Sequence, residues 1–140
     1  MEYTKIPNIF KREEFGKNRL IEGDFSSDEL EYLADNLWVW TEKVDGTNIR
    51  VIWDGHSVMW LRPDALKDIA DSFGIQAVPQ VGGGSLYDAV KFIKTHPKSK
   101  LRDAEMEGVV CRPLFELADR RGNRIIVKIK CRDFPLEGER

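Results

Sequence analysis

The chain has 140 residues, of which 41% are hydrophobic and 33% charged, and it contains 11 Gly and 6 Pro. This length is typical of one domain, and the composition excludes a low-complexity or disordered chain. No apolar run reaches the roughly 18 residues that span a membrane, and the first residues lack the order of a secretory signal. We therefore expect a single domain over residues 1–140, in the cytoplasm and with no membrane partner.

The net charge of −2 conceals an asymmetry along the chain. Residues 1–90 hold 9 Lys and Arg against 16 Asp and Glu, whereas residues 91–140 hold 13 against 8. A basic C-terminal part is either the footprint of a polyanionic partner or an ordinary solvated surface. The charge asymmetry by itself is compatible with both interpretations.

The cysteines and histidines exclude several kinds of site. Cys111 and Cys131 lie in apolar runs and form no Cys-x-x-Cys pair, which predicts small buried residues rather than a disulfide framework or a zinc ribbon. His56 and His96 have no partner at metal-ligand spacing, so we expect both at the surface or in turns.

The first half of the chain changes from helical to strand-like patterning at Trp38. Residues 1–25 show no clear period and are expected to form an extended lead-in with loops. Ser26 followed by Glu29 matches a capping box and predicts a helix up to Leu37. Strands are then predicted over 38–44, 47–53 and 56–60, the last two joined at an Asp-Gly hairpin turn, residues 54–55.

The second half adds two helices and further strands. Pro63 and Gly74 bracket one helix, and Ser85 caps another that ends before Pro97. Strands are predicted around 77–78 and over 106–112, 114–117 and 124–132, with a turn at 119–123. The glycine run 82–84 is interpreted as a flexible connector, with an anion-binding loop as the alternative. The predicted fold is α+β, with antiparallel sheets and flanking helices.

Three short elements combine into a chemical pattern. Residues 43–48 read Lys-Val-Asp-Gly-Thr-Asn and lie between two predicted strands, where a tight turn can present a lysine on a rigid scaffold. Glu107 opens a Glu-Gly-Val-Val run, and Lys128 and Lys130 alternate on one strand and therefore share a face.

These elements, in this order, resemble the covalent nucleotidyltransferases, a superfamily of ATP-dependent polynucleotide ligases and capping enzymes. The residues flanking them, at 5–7, 47–50 and 130–134, resemble the RNA ligase branch. The resemblance implies a shortened, ATP-grasp-like nucleotidyltransferase domain. It also implies an RNA repair ligase that uses ATP and Mg²⁺ or Mn²⁺ to join 5′-phosphate to 3′-hydroxyl RNA ends, in a nicked duplex or an RNA/DNA hybrid.

The resemblance also assigns roles to individual residues. Lys43 is expected to attack the α-phosphorus of ATP and to carry AMP, and Lys128 and Lys130 are expected to contact the α-phosphate as catalytic residues. Nucleotide binding is expected to involve these three lysines together with Glu42, Asn48 and Glu107, and Glu107 is the expected metal ligand.

Elementary chemistry agrees with these roles. A lysine amine is nucleophilic only when neutral, and neighbouring cations and partial desolvation favour the neutral form. The same cations stabilise charge that builds up on phosphate oxygens in the transition state. The alternative is that Lys43 is a turn lysine and Glu107 an exposed strand residue, with Lys128 and Lys130 on the polar face of an amphipathic strand.

One part of the family pattern is missing. Between the lysine element and the Glu-Gly-Val-Val run, the family carries an arginine, a ribose-binding carboxylate and an aromatic residue that stacks on adenine. Here the stretch ending at Trp60 continues directly into 61–64, as after an internal deletion near residue 60. A catalytically impaired remnant that binds nucleotide or RNA without turnover is therefore the alternative to an active ligase.

Overall fold

The computed structural model describes residues 5–44 and 63–136, and these contain strands, α-helices and one short 3-10 helix. The strands form two antiparallel sheets, which confirms the α+β class. The predicted strands at 47–53 and 56–60 lie outside the described residues. The elements, in chain order, are β1 (Phe10–Arg12), β2 (Leu20–Phe25), α1 (Asp28–Tyr32), β3 (Trp38–Glu42), α2 (Pro63–Ser72), β4 (Gln80–Gly84), α3 (Leu86–Lys94), β5 (Gly108–Pro113), β6 (Val127–Lys130) and the 3-10 helix (Cys131–Asp133).

The N-terminal region contains a small sheet that the sequence pattern did not predict. Strands β1 and β2 pair antiparallel, and their register is interrupted between Phe10 and Arg12. Phe10 and Phe25 pack edge to face, with ring centroids 5.1 Å apart. Strands this short, one of them mostly exposed, leave too few alternating positions to be recognised as strands. The expectation of an extended lead-in with loops is therefore wrong for the residues of β1 and β2.

Helix α1 is shorter than expected and is capped one residue later. The side chain of Ser27, not Ser26, accepts the N–H of Leu30, and the helix ends at Tyr32. The Ser26 hydroxyl instead donates to the carbonyl of Asn8 at 2.6 Å. Two adjacent serines look alike in a capping pattern, and the tertiary contact of the first decides which of them caps the helix.

The larger sheet has the strand order β4-β3-β5-β6, with every pair antiparallel. The N-terminal segment runs beside the outer edge of β6. There the N–H of Lys128 donates to the carbonyl of Pro7 at 3.0 Å, and the N–H of Ile9 donates to the carbonyl of Lys128 at 3.2 Å. The backbone of β6 is therefore held on both sides.

The two faces of this sheet differ sharply in composition. One face packs against α3 and carries the core, which includes Trp38, Trp40, Val109 and Ile129. The alternate positions of the three central strands point the other way and are only half buried. We call this second side the lysine face, because it carries Thr41, Val110, Arg112, Lys128 and Lys130.

Helices α2 and α3 agree with their sequence signals. Pro63 begins α2, and Gly74 follows its end in the left-handed region at φ 63°. Ser85 caps α3 in a full capping box, because its hydroxyl accepts the N–H of Asp88 and its own N–H donates to the Asp88 carboxylate. Hydrogen bonds that the Asp88 carboxylate accepts from the hydroxyl and from the N–H of Ser85 lower the pKa of Asp88.

The glycine run is a strand rather than a flexible connector. Gly82, Gly83 and Gly84 pair with β3 as part of β4, whereas residues 77–78 form no strand. A Cβ atom at Gly82 would lie 2.5 Å from the ring of Trp40, so the absence of a side chain lets β4 approach the indole. The flexible-connector interpretation is wrong because glycine is needed here to leave room for the indole of Trp40 on the neighbouring strand, and not for its conformational freedom.

The segment between β5 and β6 also differs in part from expectation. Residues 114–117 form no strand, although Ala118 and Arg124 make an isolated antiparallel bridge. The predicted turn is present: the carboxylate of Asp119 accepts the N–H groups of Arg121 and Asn123 at 2.8 and 2.9 Å. Hydrogen bonds from Asn123 and Arg121 lower the pKa of Asp119.

His96 directly follows the C-cap of α3, where its ring has a structural role. Its side chain is only 11% exposed, with Nδ1 at 2.9 Å from Glu105 and Nε2 at 2.7 Å from the carbonyl of Phe134. The ring therefore ties the end of α3 to the segment after β6. His56 lies outside the described residues.

The approach of β4 to Trp40 leads to a prediction about stability. Gly82→Ala should lower the free energy of unfolding by about 1–3 kcal/mol, because the new methyl group overpacks the indole. Chemical denaturation measures this loss.

Gly83→Ala is the matched control, since a Cβ there meets only the carbonyl of Trp38, at 3.2 Å. We expect it to cost less than about 1 kcal/mol. Equal losses in the two variants would show that the indole does not determine the need for glycine.

Candidate functional site

Three charged side chains from separate parts of the sequence meet at one end of the lysine face. The ammonium group of Lys43 lies 2.6 Å from Oε2 of Glu107, and that of Lys130 lies 3.8 Å from Oε1 of the same carboxylate. All three side chains are between 15% and 21% exposed. They are thus sheltered by the protein and still accessible to a ligand.

The backbone ladder explains why these residues meet. The N–H of Lys43 donates to the carbonyl of Gly108 at 2.8 Å, which continues the pairing of β3 with β5 beyond Glu42. Gly108 pairs with Lys130 across β5 and β6, and the N–H of Cys131 donates to the carbonyl of Glu107. Residue 108 therefore lies between the two lysines and next to the glutamate.

Gly108 itself is required by this close approach. Its φ is 156°, and a Cβ atom there would lie 2.0 Å from the carbonyl oxygen of Ile129. A side chain at residue 108 would therefore push β5 away from β6 and separate Glu107 from Lys130. The glycine after Glu107 thus has a geometric function that the sequence pattern alone does not explain.

Lys128 lies one alternate position along β6 from Lys130, on the same face. Partial burial lowers the pKa of Lys128, and the nearby positive charges of Lys130, Lys5, Lys43 and Arg12 lower it further. Within 5–44 and 63–136, no carboxylate pairs with its ammonium group. This cation is held among like charges, which favours a function in anion binding.

Arg12 is one of those neighbours and is itself fixed. Its guanidinium donates to both carboxylate oxygens of Asp133 at 2.7 Å, which joins β1 to the 3-10 helix after β6. Both hydrogen bonds come from one nitrogen, Nη2, and they hold β1 against the segment that directly follows β6. Arg12 is thereby engaged in the scaffold and not free to reach a ligand.

Glu42 lies apart from the other predicted site residues. Its side chain belongs to the core side of β3, is 5% exposed, and accepts hydrogen bonds from the hydroxyl of Ser99 and from the N–H of Lys100 at 2.9 Å. Both carboxylate oxygens thus contact the loop before β5 rather than the cluster around Glu107. Asn48, also predicted at the nucleotide site, lies outside the described residues.

A small pocket lies beside Lys43. It has a volume of about 60 Å³ and is lined by Glu42, Lys43, Val44, Leu101 and Arg102. Leu101 and Arg102 had no signal in the sequence, since they are separated from Lys43 by almost 60 residues and belong to no motif. Folding of the loop before β5 brings them next to the lysine.

Arg112 is a further residue that the sequence analysis missed. It shares the lysine face, and its Nε atom is buried without a hydrogen-bond partner among the residues that the structure describes. Burial, followed by repulsion from Arg124, lowers the pKa of its guanidinium. The signal was available, because Arg112 follows Val110 at the strand period and β5 neighbours the strand of Lys128.

Glu107 is the candidate metal ligand. Over 5–44 and 63–136, no three His, Cys, Asp or Glu side chains come together as a metal-binding group. Mg²⁺ commonly takes one or two protein carboxylates together with substrate phosphates and water, and Glu107 fits the role of one such carboxylate.

Thiol chemistry is disfavoured by the burial of both cysteines, as the sequence predicted. Cys111 and Cys131 are 0% and 1% exposed. Burial raises the pKa of the Cys131 thiol to about 11 and that of Cys111 further still. Both remain protonated and unreactive near neutral pH.

Comparison of the chain with family models, with curated proteins and with solved structures found no match. In the described part of the chain, no helix has the length and apolar character needed to cross a membrane. The motifs and the geometry of the lysine face are therefore the observations that bear on function.

The electrostatics of Lys128 lead to a prediction about stability and pH. Lys128→Met should raise the free energy of unfolding at pH 7 by about 0.5–1 kcal/mol, because it removes a partly buried cation from like-charged neighbours. Since the folded-state pKa lies below the unfolded one, the unfolded chain binds more protons between the two values, and wild-type stability rises with pH there. The advantage of the variant should therefore shrink as the pH rises through that window, in denaturation curves at several pH values.

Lys130→Met is the control, because it also removes an attraction to Glu107 at 3.8 Å. Its gain in stability should be smaller than that of Lys128→Met. A destabilised Lys128→Met would contradict the description of Lys128 as an electrostatically unfavourable residue.

Proposed function

We propose that this chain is a nucleotidyltransferase of the RNA ligase type, which transfers AMP from ATP to Lys43 and then to a 5′-phosphorylated RNA end. The observation that carries the proposal is the convergence of Lys43, Glu107 and Lys130 at one end of the lysine face, with Lys128 beside them. The α+β architecture with antiparallel sheets is compatible with such a domain.

The charge distribution supports a phosphate-bearing ligand. Lys128 is surrounded by cations, although burying like charges together lowers the stability of the fold. An anion with several phosphate groups would relieve this repulsion on binding. The arrangement thus resembles functional sites that give up stability for binding.

Lys43 is the nucleophile in this proposal. Its amine attacks the α-phosphorus, so that a P–N bond forms while the bond to the bridging oxygen breaks, pyrophosphate leaves with the electron pair, and the nitrogen releases its proton. Lys128 and Lys130 stabilise the negative charge on the oxygens of the α-phosphate during the transfer. In a second transfer, a 5′-phosphate oxygen of RNA attacks the same phosphorus and frees Lys43.

Glu107 holds the nucleophile before the reaction. Its contact of 2.6 Å with Lys43 is a salt bridge, and an amine that shares its proton with a carboxylate is not available for attack. Lys43 must therefore leave Glu107 as the nucleotide enters. Mg²⁺ or Mn²⁺ at the freed carboxylate would help to neutralise the departing pyrophosphate.

Binding of nucleotide or RNA without turnover is the second candidate. It is favoured by the missing segment near residue 60, because residues that hold base and ribose also fix the geometry of attack. The two candidates differ in one observable, which is covalent AMP on the chain.

The first prediction from this proposal is self-adenylation at Lys43. Incubation with α-labelled ATP and Mg²⁺ should label the chain through an acid-labile P–N bond, and mass spectrometry of a digest should find AMP on Lys43. Lys43→Arg should abolish the label, because the guanidinium is not a nucleophile at neutral pH. Lys128→Ala and Lys130→Ala should each reduce it by at least about tenfold.

Lys91→Ala is the matched control. Lys91 is exposed on α3, and within the described residues its ion pair is with Asp88, at 4.0 Å, so its loss should leave labelling unchanged. AMP on a lysine other than Lys43 would refute the assignment of the nucleophile, and ATP binding without label would favour the second candidate.

A second prediction concerns RNA. The basic C-terminal part of the chain, residues 91–140, should bind RNA without regard to sequence, and the affinity should fall as salt rises, since cations on the lysine face replace counterions of the phosphates. Binding titrations at several salt concentrations measure this slope, which should be shallower for Lys128→Ala.

Sealing should be weaker than adenylation. Joining two ends requires the adenylated 5′ end and the 3′-hydroxyl to be held in line, and the segment missing near residue 60 is one that would help to hold them. A nicked-duplex assay run beside the self-adenylation assay compares the two steps. Efficient sealing would instead show that the segment missing near residue 60 is dispensable.

A further inference from the structure

We propose that Glu42 is a positioning residue that acts through Ser99, holding the loop of Leu101 and Arg102 in place as the second wall of the pocket beside Lys43. This inference rests on the proposed function, because it assigns the pocket to the nucleotide. It gives Glu42 a different role from direct contact with the ligand.

The first observation is the burial of a carboxylate. Glu42 is 5% exposed, and in the described part of the chain it is the one charged residue that is buried to this degree. The preceding core positions of β3 hold Trp38 and Trp40. A buried carboxylate costs stability unless its hydrogen bonds are satisfied, and an apolar residue would fill this position at lower cost. The fold alone therefore does not explain a glutamate here.

The second observation is what the carboxylate holds. One oxygen accepts the hydroxyl of Ser99 and the other accepts the N–H of Lys100 at 2.9 Å. The hydroxyl oxygen of Ser99 in turn accepts the N–H groups of Leu101 and Arg102 at 3.0 and 3.2 Å. Ser99 therefore links the carboxylate of Glu42 to Leu101 and Arg102, which are two of the residues that line the pocket.

The loop is also closed at its base. The N–H of Ser99 donates to the carbonyl of Ala104 at 2.9 Å, and Lys98 pairs with Glu105 in an isolated bridge. Residues 98–105 thus form a compact unit, and its hydrogen bonds to Glu42 fix that unit against β3. Since Lys43 directly follows Glu42, one short stretch of backbone sets both walls of the pocket.

The chemistry of the pocket fits part of a nucleotide. Val44 and Leu101 offer apolar surface, while Arg102 offers a cation that can stack on a base or contact a phosphate. Loss of the Glu42–Ser99 contact should therefore weaken nucleotide binding without changing the groups that perform the transfer. A role in folding alone would instead change stability and leave binding by the folded protein unchanged.

The experiment measures ATP binding by calorimetry without metal, and the rate of self-adenylation against ATP concentration. Ser99→Ala, Glu42→Gln and Arg102→Ala should each raise the dissociation constant and the half-saturating ATP concentration about three- to tenfold, with the maximal rate kept within about twofold. Ser99→Thr retains the hydroxyl and should restore wild-type binding. Thermal unfolding of each variant identifies any loss of folded protein.

Ser26→Ala is the matched control. It also removes a hydroxyl that joins two distant segments, because Ser26 donates to the carbonyl of Asn8, but Ser26 follows β2 of the smaller sheet and does not line the pocket. It should leave both ATP constants unchanged. The proposal is overturned if folded Ser99→Ala and Arg102→Ala bind ATP like the wild type, or if they lower only the maximal rate.

The outcomes separate the two proposals. In one outcome, Ser99→Ala binds ATP more weakly than the wild type, and the wild type forms no label on Lys43. This outcome would support the role of Glu42 and refute the transfer reaction. In another outcome, the wild type is labelled on Lys43 and the variants keep the wild-type ATP constants. This outcome would support the transfer reaction and refute the role of Glu42. A wild-type chain that neither binds ATP nor becomes labelled would overturn both.

Discussion

Strand β5 pairs with β3 on one side and with β6 on the other, and the register of these two pairings decides which side chains enter the core and which reach the lysine face. Side chains alternate between the two faces of a sheet, so a slip of one residue in either register would exchange core and surface positions. In the observed register Val109 and Ile129 enter the core, while Lys128 and Lys130 stay on the opposite face. Gly108 makes this register possible, since β5 and β6 approach too closely there for any side chain.

The lysine face illustrates a conflict between stability and binding. On the core side, apolar burial against α3 stabilises the sheet, and the charges of that side are satisfied within the protein. On the other side, Lys128 is held among cations and Arg112 has a buried, unpaired Nε atom in the part of the chain that the structure describes. Among the described residues the core side also has a buried atom without a hydrogen-bond partner, the Nε1 of Trp40, so the distinguishing feature of the lysine face is its clustered positive charge. Such clustering is typical of sites where a ligand supplies the missing partner.

Glu107 and Glu42 show how two carboxylates near one lysine take on different roles. Glu107 is partly exposed and contacts the ammonium groups of Lys43 and Lys130, so an incoming ligand can displace it. Glu42 is buried and satisfied by Ser99 and Lys100, so it is a fixed part of the scaffold. Solvent access and hydrogen-bond partners, and not distance along the chain from Lys43, distinguish the exchangeable carboxylate from the structural one.

Local patterns in the sequence predicted much of this protein. The α+β class, the caps of α2 and α3, the turn at Asp119 and the burial of both cysteines depend on short-range chemistry that a sequence displays directly. The shared face of Lys128 and Lys130 follows from strand periodicity. That Lys43, Glu107 and Lys130 meet was an inference from motif resemblance, and the tertiary structure brings them together.

Other features were decided only by contacts between distant segments. Strand β4 has glycine opposite Trp40 because the indole leaves no room for a side chain there. Ser27 caps α1 because the hydroxyl of Ser26 is bound to Asn8. Leu101 and Arg102 reached the pocket through the hydrogen bonds of Glu42 and Ser99. A local pattern records which conformations a segment permits, whereas the choice among them depends on the volume and hydrogen-bonding groups of partners that only folding brings near.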